Sequence, residues 1–119
     1  MNKKIEEFRK RREKLNEVIL GRDNINIKRF FGIDTATYRE GALDVKTKEL
    51  LGLVASTVLR CDDCIMYHLD RCMEEGISDA EFDEAMGIAL VCGGSITIPH
   101  LRRAYEIWTD TDGDDRAGK

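Results

Sequence analysis

Between Arg60 and Gly76 the chain reads RCDDCIMYHLDRCMEEG, a stretch that holds residues with chemistry beyond packing. Cys61, Cys64 and His68 stand at i, i+3 and i+7. At about 3.6 residues per turn, that spacing places two thiols and an imidazole on one face of a helix. Cysteines three residues apart on a helix start have Cα atoms roughly 5 to 6 Å apart, inside the range that a disulfide tolerates. A thiolate there also gains from the unpaired N–H groups and positive dipole end of the helix. His68, one turn beyond Cys64, can take or give a proton near neutral pH. These are the parts of a redox site: a thiolate attacks a peroxide oxygen or a disulfide sulfur, a second thiol resolves the product, and a base takes the first proton.

Two other chemistries compete for the same residues. A metal site would use Cys61, Cys64, His68 and Cys72, which lie near one line along the helix. Cys61 and Cys72 are eleven steps apart, roughly 16 Å, too far for one tetrahedral ion, and a second Cys-x-x-Cys or His pair is lacking. The plainer account makes the cysteines core residues. It suits Cys72 and Cys92, single thiols set among Leu, Met and Val, which are expected to be packing residues. It suits Cys61 and Cys64 less, because Asp62 and Asp63 between them mark a polar helix start.

The positioning elements read as helices. Ile5, Phe8, Leu15 and Ile19 recur at helical intervals within an amphipathic segment over 1–22, ended by Gly21. Asp23 or Asn24 caps a short second helix carrying Ile27, Phe30 and Phe31 and stopped by Gly32. Asp34 caps a third, around Ala36 to Glu40, stopped by Gly41. Asp44 opens a long apolar helix over Val45 to Leu59. Glu49, at the edge of its apolar stripe, reads on spacing alone as a solvated carboxylate. Gly76 ends the cysteine helix. Ser78 to Glu81 is a capping box for a helix with Phe82, Ala85, Met86, Ala89 and Leu90 inward, broken at Gly93 and Gly94. The last helix carries Leu101, Ala104, Ile107 and Trp108, with Pro99 in its first turn, and 110–119 form a polar, frayed tail.

At 119 residues, with 42% hydrophobic content, the whole chain fits a single helical domain. A formal charge of −4 argues against a nucleic-acid or anionic-membrane surface. With no long apolar run and a charged N-terminus, the expected location is cytoplasmic, where four cysteines are reactive or buried thiols rather than a disulfide framework. So short a chain has little interior to shield a reactive site, which gives it a motive to form homo-oligomers.

Glu49, eleven residues, Cys61, two residues, Cys64, three residues, His68 is a pattern that resembles the AhpD-like alkylhydroperoxidases of the carboxymuconolactone decarboxylase superfamily. The likeness continues through LDVKTKELLGLVAS before it and the GG-x-x-x-x-P-H-L-RRA stretch after it, from about Phe30 to Trp108. The resemblance implies an all-α bundle of about six helices, assembled as trimers or hexamers, and the chemistry expected of these residues uses neither metal nor organic cofactor. It implies a thiol-dependent peroxidase in which Cys64 attacks, Cys61 resolves, and His68 and Glu49 relay protons. Position alone leaves that order open, since Cys61 is nearer the helix terminus and Cys64 nearer His68. The implied partners are a hydroperoxide or disulfide substrate and a dithiol donor, either a protein or a small thiol. One departure stands out: peroxidase members of the family carry a second histidine where this chain has Asp63. A carboxylate there disfavours a nearby thiolate, which opens the alternative of a disulfide oxidoreductase with little peroxide turnover. A non-enzymatic helical assembly protein is the alternative from another class. A decarboxylase fits less, because those members commonly lack the cysteine pair. His100 is expected to pack or cap, with a place beside the site across a subunit contact as the other reading.

Overall fold

The computed structural model describes residues 2–110; the polar tail expected over 110–119 lies, from 111 onward, outside the described residues. Within them the chain forms six α-helices, α1 (Lys3–Leu20), α2 (Ile25–Thr37), α3 (Val45–Val58), α4 (Asp62–Glu74), α5 (Asp79–Gly93) and α6 (Ile98–Trp108), with one 3₁₀ turn at Ser95–Thr97 before α6. No strand occurs among the described residues, as the all-α expectation requires, and none of the helices is long and apolar enough to cross a membrane.

Local chemistry sets most of the ends. Asp44 accepts from the Thr47 N–H at 2.8 Å to open α3. Ser78 and Glu81 exchange side-chain and backbone bonds at 3.1 and 2.9 Å in the capping box of α5. Gly76 takes the left-handed conformation at φ +75 after α4, and Gly94 sits at φ +80 after α5.

Helix α3 packs against α4 and α5, α4 also meets α6, and α1 crosses α4. The core runs through Leu53, Ile65, Leu69, Cys72, Phe82 and Trp108, with the rings of the last two stacked 4.4 Å apart. The Asn2 amide donates to the Ile107 carbonyl at 2.6 Å, and Arg9 pairs with Asp70, so the start of α1 is fastened to α6 and α4.

Three expectations are corrected. The two short helices expected over 24–41 are one, α2, capped by Asn24 and running through Gly32. A lone helical glycine costs about 1 kcal/mol relative to alanine, less than breaking the hydrogen-bond ladder around it, so Gly32 weakens the helix without ending it. Cys92 is exposed rather than packed, because it lies on the outer face of α5 beside Val91, which is 86% exposed. On α1 the apolar stripe is buried only at Ile5. Leu15 and Ile19 are exposed, since the contacts that fasten α1, through Asn2, Ile5 and Arg9, lie in its first half.

Candidate active site

Cys61 is the N-cap of α4, and its Sγ accepts the Cys64 N–H at 3.2 Å. The cap puts both cysteines at the positive end of the helix, and they are joined as a disulfide across a Cα separation of 5.2 Å. Arg60 at φ 60 makes the turn from α3 into this cap, with the Cys61 N–H donating to the Ser56 carbonyl at 3.1 Å. Asp62, between the cysteines, is held from α6: His100 Nδ1 lies 2.7 Å from one carboxylate oxygen and Arg103 donates to the other at 3.0 Å. His100 therefore fastens α6 to the start of α4 within one chain. Asp63 is exposed beside Cys64.

Below the cysteines, His68 and Glu49 are both buried, at 8% and 1% exposure, which removes the solvated-carboxylate account of Glu49. His68 Nδ1 stands 2.8 Å from Glu49 Oε1. An ionised carboxylate can only accept, so in that state Nδ1 carries the hydrogen and Nε2 the free lone pair. The Tyr38 hydroxyl approaches Nε2 at 3.5 Å, a long contact. Tyr38 is the C-cap of α2 and is brought in by Lys48, whose ammonium donates to the Thr37 and Arg39 carbonyls at 2.8 and 2.6 Å. Helix α3 comes close enough to the imidazole only because residue 52 is glycine.

The second Glu49 oxygen lies 3.5 Å from Arg71 Nε, and Arg71 in turn pairs with Glu74 at 2.9 Å. Partial burial works against the Arg71 charge, but Glu49 and Glu74 outweigh it and its pKa is raised. A buried carboxylate thus has a cation on one oxygen and an imidazole on the other, the pairing that burial of a charge demands. Burial, with the charge of Glu49 added, raises the Tyr38 and Tyr67 phenols above their ordinary value, so both remain hydrogen-bond donors.

Two cavities meet this pair. One, about 450 Å³, is lined by Cys64, His68, Tyr67 and the inner face of α1. The other, about 540 Å³, is lined by Tyr38, Glu49, Arg71 and other polar side chains. His68 faces the first and Glu49 the second, an arrangement suited to moving a proton between the two cavities. The geometry brings together all four residues singled out in the sequence, Glu49, Cys61, Cys64 and His68. Sequence reasoning missed Tyr38, Tyr67 and Arg71. Only Arg71 carried a local signal, one turn beyond His68 on the same face.

Two crystal structures of a Thermotoga maritima protein superimpose on this fold, each with a TM-score of 0.83. The identities are 65% over 86% of this chain and 90% of that one, and 58% over 91% and 96%. One of them is described as a carboxymuconolactone decarboxylase family protein for which a role in antioxidative response is suggested. A Paracoccus denitrificans protein called uncharacterized protein 4 in cox locus is 26% identical over 71% of this chain and 76% of its own length. An uncharacterized Cupriavidus necator protein is 26% identical over 55% and 58%. The profile of the carboxymuconolactone decarboxylase family matches residues 27–106, from α2 through α6, and the chain belongs to that family.

Proposed function

We propose that the chain is a thiol-dependent peroxidase of the AhpD-like type. The observation that carries this reading is the buried Glu49–His68 pair, 2.8 Å apart, set beneath a helix-capping cysteine pair and opening on the cavity that also reaches Cys64. In the reduced protein, His68 takes the Cys64 proton and the thiolate attacks the terminal oxygen of a hydroperoxide. An S–O bond forms, the O–O bond breaks, and the alcohol leaves with a proton returned by His68. The Cys61 thiol then displaces water from the sulfenic acid, forming the disulfide. A dithiol donor restores both thiols and becomes a disulfide itself, so two electrons pass from donor to peroxide. Glu49 stabilises the imidazolium and Arg71 balances Glu49. The antioxidative role suggested for the Thermotoga maritima relative fits this chemistry. A thiol pair that must be reduced in each cycle suits the cytoplasm.

Peroxide consumption driven by a dithiol tests the reading on wild type, Cys61→Ser, Cys64→Ser and Glu49→Gln. Turnover is expected to vanish in Cys64→Ser, with a sulfenic acid trapped in Cys61→Ser. In Glu49→Gln it is expected to fall roughly a hundredfold while the fold is kept. Equal rates in all four proteins would sink the mechanism. The exposed carboxylate of Asp63 beside Cys64 favours a second reading, disulfide exchange without peroxide turnover. Reduction of a model disulfide by a protein inert to peroxides would select it.

A further inference from the structure

The first residue of α4 is Asp62, next to Cys61 and two positions before Cys64, so a carboxylate sits at the helix end where a thiolate must form. A Cys61 thiolate gains there from the Cys64 N–H, which already reaches its sulfur at 3.2 Å, and from the helix dipole. An ionised carboxylate at the same place opposes that gain by like-charge repulsion and competes with the sulfur for the unpaired N–H groups of the first turn. Helix α6 answers both effects by holding the two oxygens of Asp62. His100 Nδ1 lies 2.7 Å from one, and Arg103 Nη1 donates to the other at 3.0 Å. With Asp62 ionised, Nδ1 must carry the hydrogen, so both partners are donors, and the guanidinium is a permanent cation. The two donors stand 3.4 Å apart because they converge on one carboxylate. The side chains of Asp62 and Arg103 are 45% and 59% exposed. A pair so exposed contributes little to stability, but this one acts on charge between two redox cysteines. Exposed charges around the pair, among them Arg11, Asp34, Arg60, Asp63 and Glu106, act on it through water and salt.

We infer that Arg103 and His100 are positioning residues for the Cys61–Cys64 pair. By holding and neutralising Asp62 they leave the end of α4 to the sulfur, which makes the reduced pair more acidic and so more reactive near neutral pH. The inference goes beyond the peroxidase reading: it requires only a reducible disulfide and applies equally to disulfide exchange.

The test reads thiolate formation. Each protein carries Cys92→Ser to silence the exposed thiol, is reduced with dithiothreitol and freed of it, and is alkylated with iodoacetamide, a neutral reagent, over a range of pH. Mass spectrometry follows the labelling of Cys61 and Cys64. In Arg103→Gln the rate at neutral pH is expected to fall about threefold, with the profile moved to higher pH, and Arg103→Lys should recover most of the loss. In Asp62→Asn the rate is expected to rise about threefold, with the profile moved to lower pH. Arg102→Gln removes the same charge from the neighbouring exposed position and should leave the profile in place. Arg103 is exposed enough that its truncation leaves the fold intact even if a His100 variant proves unstable. A clamp that only stiffened the helix start would move Arg103→Gln and Asp62→Asn in the same direction. That result, or an unchanged profile in both, overturns the inference. Opposite shifts in a protein inert to hydroperoxides retire the peroxidase reading and uphold the role of Arg103.

Discussion

A Cβ placed on Gly52 would lie 2.5 Å from His68 Cε1, 2.7 Å from the Tyr38 hydroxyl and 2.8 Å from His68 Nδ1. The imidazole cannot retreat without loosening its bond to Glu49, and the Tyr38 hydroxyl would give up its long contact with Nε2. Gly52→Ala is therefore expected to destabilise the protein by about 1–3 kcal/mol. Under the proposed peroxidase reading it should also slow peroxide consumption at least about tenfold, because small displacements of a proton-transfer group are costly. Denaturant melts and initial rates check the two effects separately. Cys72 shows the opposite use of a cysteine: burial, with Glu49 adding to it, pushes its thiol up to about 12 from 9.0. Between those values the folded chain keeps a proton that the unfolded chain has lost. The stabilisation is therefore complete below pH 9.0 and is lost as the pH rises toward 12. Unfolding free energy should fall over that window, with a shallower slope in Cys72→Ala. Native Cys72 should also resist alkylation at pH 8 while exposed Cys92 reacts.

Among the elements, α2 is the one that buries no residue, and it is the one whose ends were misread. A Cβ on Gly32 would meet nothing within 4 Å. Gly32→Ala should therefore raise stability by about 0.5–1 kcal/mol, visible as a higher thermal midpoint with unchanged activity. Capping chemistry was legible in the sequence because it is local: Asp44 with Thr47, Ser78 with Glu81, and the cysteines of the α4 cap all act within three residues. The all-α architecture and four of the site residues followed from such spacings and from the family pattern. The burial of Glu49 did not, because it depends on His68, Arg71 and Tyr38 arriving from two other helices. Tyr38 stands thirty positions before its histidine, and no periodicity in the chain announces that meeting. Asp62 likewise reads as a helix-start carboxylate, and only the fold gives it His100 and Arg103.

At the scale of the whole molecule, large apolar side chains remain uncovered on several helices. Phe30 and Ile33 on α2 are 70% and 66% exposed, and Leu59 and Val91 are 76% and 86% exposed. Single exposed residues are ordinary, but a helix as unburied as α2 fits the assembly proposed from the family resemblance, with copies of the chain covering it. Phe30→Glu combined with Ile33→Lys is expected to lower the mass seen by sedimentation to that of a smaller species while helicity persists. A wild-type protein that is already monomeric would contradict the proposed assembly. If α2 finds its cover only on neighbouring copies, heat resistance becomes a property of the solution as well as of the chain. Dilution should then pull the melting temperature down, and the protein would keep its shape best where it is most abundant.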